Sequence, residues 1–245
     1  MKIKKIDEIL KNNPYPGRGI IFGRNPGGNK AVIAYFIMGR SENSRNRVFV
    51  ESGNNGENVR SMAFDESKVT DPSLIIYTPV RVMGNRVFVT NGSQTDTIAQ
   101  AMDVQSTFER ALKLIEFEPD APYYTPRISG VLHFLEFESR KFNYALSIAK
   151  TANGDPASCQ RFHYSYYEPL AGEGHFIHTY ANDSEKLPSF SGEPPTIEIP
   201  GSIDEFTDML WNSMDNNNKI SLFTRYVDAA TGEYESRIIN KNKKG

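Results

Sequence analysis

The sequence predicts an α+β protein built mainly from antiparallel sheets. Three observations lead there. Most apolar residues fall in short runs bounded by Gly, Pro or Asn, few segments carry helical spacing, and the two kinds of element do not alternate as βαβ units. With 245 residues, 38% of them hydrophobic, the chain is long enough to bury one large core. We read it as a single domain, 1–245.

Residues 1–12 read as a short amphipathic extension helix, with Ile3, Ile6, Ile9 and Leu10 at helical spacing. Pro14 and Pro16 end it. The apolar runs 20–22 and 31–38 flank Arg24-Asn-Pro-Gly-Gly-Asn-Lys30 and so form a hairpin, followed by a strand over 48–51. The stretch 54–67 is polar and glycine-containing, and reads as a loop. A second hairpin joins 74–82 to 86–90 across Met83-Gly-Asn85. From Ser93, the residues Ile98, Met102, Gln105, Phe108, Leu112 and Ile115 predict one long helix, with Ser93 and Asp96 as a capping box. Strands follow over 128–137, 143–149, 161–167 and 175–180. A proline-rich crossing, 187–201, leads to a helix over 203–214 and two closing strands, 219–227 and 233–239. The basic tail, 240–245, reads as disordered.

Charge and composition narrow the function classes. The 28 basic and 30 acidic side chains leave a net charge of −2, which argues against a general nucleic-acid binder. One cysteine, Cys159, permits neither an internal disulfide nor a zinc cluster, and it reads as a lone buried thiol in a reducing, cytoplasmic setting. No run is long enough to span a membrane, and the first ten residues carry charges where a signal peptide needs apolar ones. His175 and His178 fall on opposite faces of a strand, so no metal site is expected.

Candidate chemistry begins with arginine. Five of the fourteen, Arg18, Arg24, Arg40, Arg45 and Arg47, lie within thirty positions. Their planar forks suit phosphate or carboxylate oxygens, although a solvated hairpin surface carries such charges too. Gly17, Gly19 and Gly23 leave room for a ligand beside them, but their spacing is neither the dinucleotide fingerprint nor a phosphate-binding P-loop. The run Thr90-Asn-Gly-Ser-Gln-Thr-Asp-Thr-Ile98, between a strand and a helix, offers hydrogen-bonding groups to a sugar or base, or simply a well-furnished cap. Glu116-Phe-Glu-Pro-Asp120, near Arg127, supplies carboxylates for proton transfer or for an exposed helix end. No Gly-x-Ser-x-Gly nucleophile elbow is present.

In chain order, Tyr15-Pro-Gly-Arg18, Gly23-Arg-Asn25, Ser44-Arg-Asn-Arg47, Asn91-Gly-Ser-Gln-Thr-Asp-Thr-Ile98 and Glu116-Phe-Glu-Pro-Asp120 with Thr125-Pro-Arg-Ile128 resemble the archaeal-type IMP cyclohydrolase family over roughly residues 15–131. The resemblance implies a four-layer αββα sandwich similar to N-terminal-nucleophile hydrolases, without their covalent chemistry. It implies cofactor-free closure of a formylated aminoimidazole carboxamide ribonucleotide to inosine monophosphate, with loss of water, in purine biosynthesis. Arg47, Glu118 and Tyr77 are then the expected catalytic residues. Arg47 and Tyr77 would meet the formyl oxygen, while Glu118 would orient Arg47 or move a proton. Tyr15 and Arg18 join the substrate site, Arg18 at the phosphate. Asn91, Thr95 and Asp96 would stand near the ribose or base, with Arg127 in the same site or paired to Glu118 or Asp120. The implied partner is a small purine ribonucleotide, with no nucleic acid or membrane; sheet edges leave a homo-oligomer open. Two other readings stay open, an amide hydrolase or cyclase acting on another phosphorylated ribonucleotide and a non-catalytic purine-nucleotide-binding module.

Overall fold

In the hairpin of β1 (Arg18–Arg24) and β2 (Lys30–Met38), every β2 residue after the first is buried. The alternation of side chains along the strand explains this, because its two faces serve two different cores. Ala31, Ile33, Tyr35 and Ile37 point into a core between two sheets. Val32, Ala34, Phe36 and Met38 point the other way, onto helices. The computed structural model describes residues 3–69, 71–136 and 141–242.

Helix α1 (Ile6–Asn12) precedes the hairpin, and the short helix α2 (Glu42–Arg45) follows it. Next come β3 (Arg47–Ser52), β4 (Asn58–Ala63), β5 (Tyr77–Met83), β6 (Arg86–Thr90), α3 (Gln94–Asp103) and α4 (Phe108–Leu112). Four strands, β7 (Arg127–Glu136), β8 (Lys141–Ala152), β9 (Asp155–Tyr167) and β10 (Glu173–His178), lead to the short β11 (Thr196–Glu198). Helix α5 (Ile203–Ser213), β12 (Lys219–Asp228) and β13 (Tyr234–Asn240) close the chain. The first sheet has the order β11-β10-β1-β2-β12-β13 and the second runs β3 to β9 in sequence. Neighbouring strands in both are antiparallel.

Ile6 and Leu10 of α1 and Phe206 and Leu210 of α5 cover the outer face of the first sheet. Ile98 of α3 and Phe108 and Leu112 of α4 pack on Phe88 and Val131 of the second. The result is the αββα sandwich that the resemblance implies. Among the described residues, no helix is long and apolar enough to cross a membrane.

Several local expectations need correction. Helix α1 begins at Ile6, while Lys4 makes a parallel bridge to Ile197 instead. The stretch read as a loop contains β4, whose Val59, Ser61 and Ala63 face inward. The polar Ser61 obscured that alternation. The long helix is broken into α3 and α4, because Gln105 takes a φ of 63° while the apolar period runs on through it. Ser93 makes no side-chain cap, and Asp96 instead pairs with Arg81 at 2.5 Å. The proline-rich crossing includes β11. Cys159 is half-buried rather than buried. In the tail, Lys241 and Asn242 hydrogen-bond to Asn216 and Arg45, whereas 243–245 lie outside the described residues, as do Phe137 and the first two residues.

The two sheets approach closely at Gly130 of β7. A Cβ there would lie 2.6 Å from the ring of the fully buried Phe22. We expect Gly130→Ala to destabilise the protein by about 1–3 kcal/mol through overpacking. Urea unfolding measures this directly, and wild-type stability would contradict the packing described.

Candidate active site

The antiparallel pairings bring the starts of β3, β5 and β7 to one end of the second sheet, because Ala63 at the end of β4 lies opposite Arg47, and Thr90 at the end of β6 opposite Ser129. In the first sheet, β1 starts opposite the ends of β2 and β10. At this shared end lies a cavity of about 190 Å³ whose walls include Tyr15, Arg18, Arg40, Asn43, Arg47, Glu118, Asp120, Thr125 and Tyr180. Its residues come from chain positions far apart.

Arg18 opens β1 and Arg47 opens β3, so each sheet contributes one guanidinium. Both are buried, at 7% and 4% exposure. Arg18 Nε, Arg47 Nε and Arg47 Nη1 are buried and make no hydrogen bond, and neither does Asn43 Oδ1. Burial and then the adjacent Arg18 charge hold Arg47 below the ordinary arginine pKa. Burial disfavours the Arg18 charge as well, but the oxygens of Tyr15, Glu118, Tyr180 and Tyr77 outweigh it and raise that pKa. Neither shift removes an arginine's charge near neutral pH. Two buried cations therefore line one confined space, an arrangement that suits anionic oxygen.

Glu118 is the carboxyl of this cluster. Its backbone N–H donates to Thr125 O at 2.9 Å, which fixes the loop that carries it over the cavity. Burial pushes its pKa above the usual carboxylate range, against the opposing pull of Arg18, Arg127 and Arg47. The Tyr77 hydroxyl shares a hydrogen bond of 3.0 Å with Tyr35 behind the two arginines. Tyr15 stacks on Tyr180, with ring centroids 5.7 Å apart, and the Arg40 guanidinium lies 5.0 Å from the Tyr15 ring centroid while pairing with Asp183. Gly17 permits that packing: its φ is 76°, and a Cβ would strike Thr179 and the Tyr180 ring.

The structure thus brings Arg18, Arg47, Glu118 and Tyr15 to the cavity wall, with Tyr77 directly behind. It places Asn91, Thr95 and Asp96 elsewhere. Asn91 spends its amide on Pro126 O, Ile128 N and Gln94. Thr95 is fully buried against Thr90 and Gly92, and Asp96 lies on the outer surface with Arg81. Gln94 accepts a hydrogen bond from Arg127, which lies 3.9 Å from Glu118. The amide-rich run therefore supports the carboxylate from behind. A wider cleft of about 340 Å³ lies along Ser93, Gln94, Lys113 and Arg127, but none of the buried unpaired polar atoms belongs to it. Of the other clustered arginines, Arg24 stacks on Phe142 and Arg45 donates to Gly39 O.

Sequence reasoning missed Arg40 and Asn43 as wall residues, and above all Tyr180. Arg40 was legible only as one member of the arginine cluster. Nothing local distinguishes Tyr180, at the end of an ordinary strand signal. Among the described residues no group of three or more His, Cys, Asp or Glu is placed to hold a metal ion.

The raised Glu118 pKa gives a stability prediction with a definite sign. Folding favours the neutral form, so this group's ionisation costs stability as pH rises above the unfolded carboxyl value of about 4.3. Glu118→Gln should therefore raise the melting temperature at neutral pH and lose that advantage in acid. Equal melting of both proteins across the pH range would contradict the burial-driven shift.

Over most of its length the chain is similar to known proteins. A sequence model of the family described as IMP cyclohydrolase-like protein matches residues 15–232. The match thus reaches well past the segment 15–131 that carries the motifs. The IMP cyclohydrolase of Methanococcus aeolicus is 31% identical over 123 residues, 49% of this chain and 58% of that relative. Those of Thermococcus kodakarensis and Methanopyrus kandleri are each 31% identical, over 121 and 122 residues, covering 56% and 57% of the relative. The chain therefore spans less than two thirds of the length of these relatives. By that family match over residues 15–232, the chain belongs to the IMP cyclohydrolase-like protein family.

Proposed function

We propose that this protein closes a formylated aminoimidazole carboxamide ribonucleotide to inosine monophosphate with loss of water. The observation that carries the reading is the pair of buried guanidiniums, Arg18 and Arg47, which line one cavity together with Glu118. The names of the relatives support the same activity.

The reaction suits such a site. The substrate holds both reacting ends, a carboxamide nitrogen and a formyl carbon, so the protein needs no nucleophile of its own. It must select the folded conformer and stabilise the oxyanion that forms as nitrogen attacks. Orientation is worth on the order of 7 to 11 kcal/mol in well-aligned intramolecular reactions. One preorganised donor at the oxyanion adds about 3 to 4 kcal/mol. In our reading Arg47 meets that oxygen, with Tyr77 behind it, and Arg18 holds phosphate oxygen. Glu118 keeps Arg47 oriented and takes part in proton movement. Tyr15 supplies an aromatic wall for the base. The amide-rich run enters indirectly, because Asn91 and Gln94 fix Arg127 beside Glu118.

Replacing Arg47 by Leu removes the oxyanion donor and a buried charge together. Ring closure, followed by the rise of purine absorbance, should fall by about 100-fold or more. The circular dichroism spectrum and melting temperature should stay near those of wild type. Normal turnover by the Leu variant would refute this assignment.

A further inference from the structure

The cavity wall holds a hydrogen-bonded chain with a fixed direction. Thr125 N–H donates to Asp120 Oδ1 at 2.6 Å, and Thr125 Oγ1 donates to Asp120 Oδ2 at 2.5 Å. A carboxylate oxygen only accepts, so the single hydroxyl proton of Thr125 is committed to Asp120. Thr125 Oγ1 also lies 2.7 Å from the Tyr180 hydroxyl. In that contact Thr125 must accept and Tyr180 must donate. The lone pairs of the Tyr180 oxygen are then left for the cavity, which all three residues line. Tyr180 is itself 2% exposed and held between Tyr15 and the Gly17 turn.

We propose that Tyr180, Thr125 and Asp120 form a proton relay in which Tyr180 is the hydrogen-bond acceptor for an N–H of the bound nucleotide. The inference rests on the ring-closing activity proposed above and deepens it. As the carboxamide nitrogen forms its bond to the formyl carbon, the carbonyl π pair moves onto oxygen beside Arg47. The nitrogen releases a proton to the Tyr180 oxygen. Tyr180 passes its own hydroxyl proton to Thr125, and Thr125 passes its proton to Asp120. Run backwards, the same chain returns one proton to the oxyanion, giving a hydroxyl. That hydroxyl leaves as water with the proton of the former formamide nitrogen. Burial raises the Tyr180 pKa, which keeps the phenol protonated and suits it to concerted transfer rather than to standing as a phenolate. Tyr180 touches the substrate in this scheme, while Thr125 and Asp120 are positioning residues.

Asp120→Asn provides the sharpest test, because it keeps the shape and reverses the polarity. The amide nitrogen would donate to Thr125, Thr125 would donate to Tyr180, and the Tyr180 proton would turn towards the cavity. Asp120→Asn, Thr125→Val and Tyr180→Phe should each lower kcat by about 100-fold while KM rises by no more than the roughly two- to tenfold expected of one lost hydrogen bond, and Thr125→Ser should restore most of the loss. Full kcat in Asp120→Asn or Tyr180→Phe would overturn the relay. Calorimetric titration with inosine monophosphate, whose ring N–H occupies the place of the attacking nitrogen, separates this claim from the activity. Both variants should bind it about two- to tenfold more weakly than wild type. If wild type binds but does not turn over the formylated substrate, the activity fails, and weakened binding by the variants still upholds Tyr180 as acceptor. Equal affinity in all three proteins overturns the acceptor role, and wild type that neither binds nor turns over overturns both claims.

Discussion

Two arginine side chains shut away from water with more donors than acceptors set the terms for the rest of this molecule. Arg18 and Arg47 each keep a buried N–H without a partner, and their positive charges lie close enough for one to weaken the other. Leaving buried donors unmade costs about 1–3 kcal/mol apiece, more for charged groups. That cost falls where the surrounding structure is rigid and where water or a ligand supplies oxygens to the donors. Glu118 offsets part of the charge. Yet burial holds its own carboxyl towards the neutral form, so the cluster remains short of negative charge.

The sandwich provides the required rigidity. Strand β2, buried on both faces, backs β1, and the paired sheets hold the two arginines from opposite layers. Neither sheet alone could build the cavity. Behind Glu118, a polar ladder of Asn91, Gln94 and Arg127 runs back to the start of α3. These contacts hold Glu118 from behind, and they occupy the amides of a run that lies off the cavity wall.

The rim is built differently from the floor. Arg40 lies partly exposed over Tyr15 and pairs with Asp183, an ion pair of the half-solvated kind that contributes about 0–1 kcal/mol. The floor fixes two buried charges in one place, whereas the rim holds a half-solvated cation that can change partners at small cost. Tyr15 and Tyr180 join the two levels, since Arg40 lies over the Tyr15 ring and both tyrosine oxygens act on the Arg18 charge.

Local periodicity and turn chemistry act over a few residues, and to that range the sequence alone determined this protein. Glycine-containing turns at 25–29 and 83–85 marked two hairpins, the apolar run 31–38 marked a strand, and the spacing in 203–214 marked α5, whose cap Ser202 accepts from Glu205 N–H. The crowding of arginines before residue 48 left an anion site and a solvated hairpin surface both open, and the structure brings Arg18, Arg40 and Arg47 of that cluster to one cavity. Tertiary structure decided what short range cannot encode. Ser61 joins an inward face because its neighbours bury it, and Gln105 breaks a helix whose apolar period continues unbroken. Whether Asn91 and Thr95 turn towards a ligand or their own backbone depends on where β7 passes. Arg18, Arg47, Glu118 and Tyr180 meet only when two sheets from separate parts of the chain are packed face to face, and that convergence has no signature in any window of sequence.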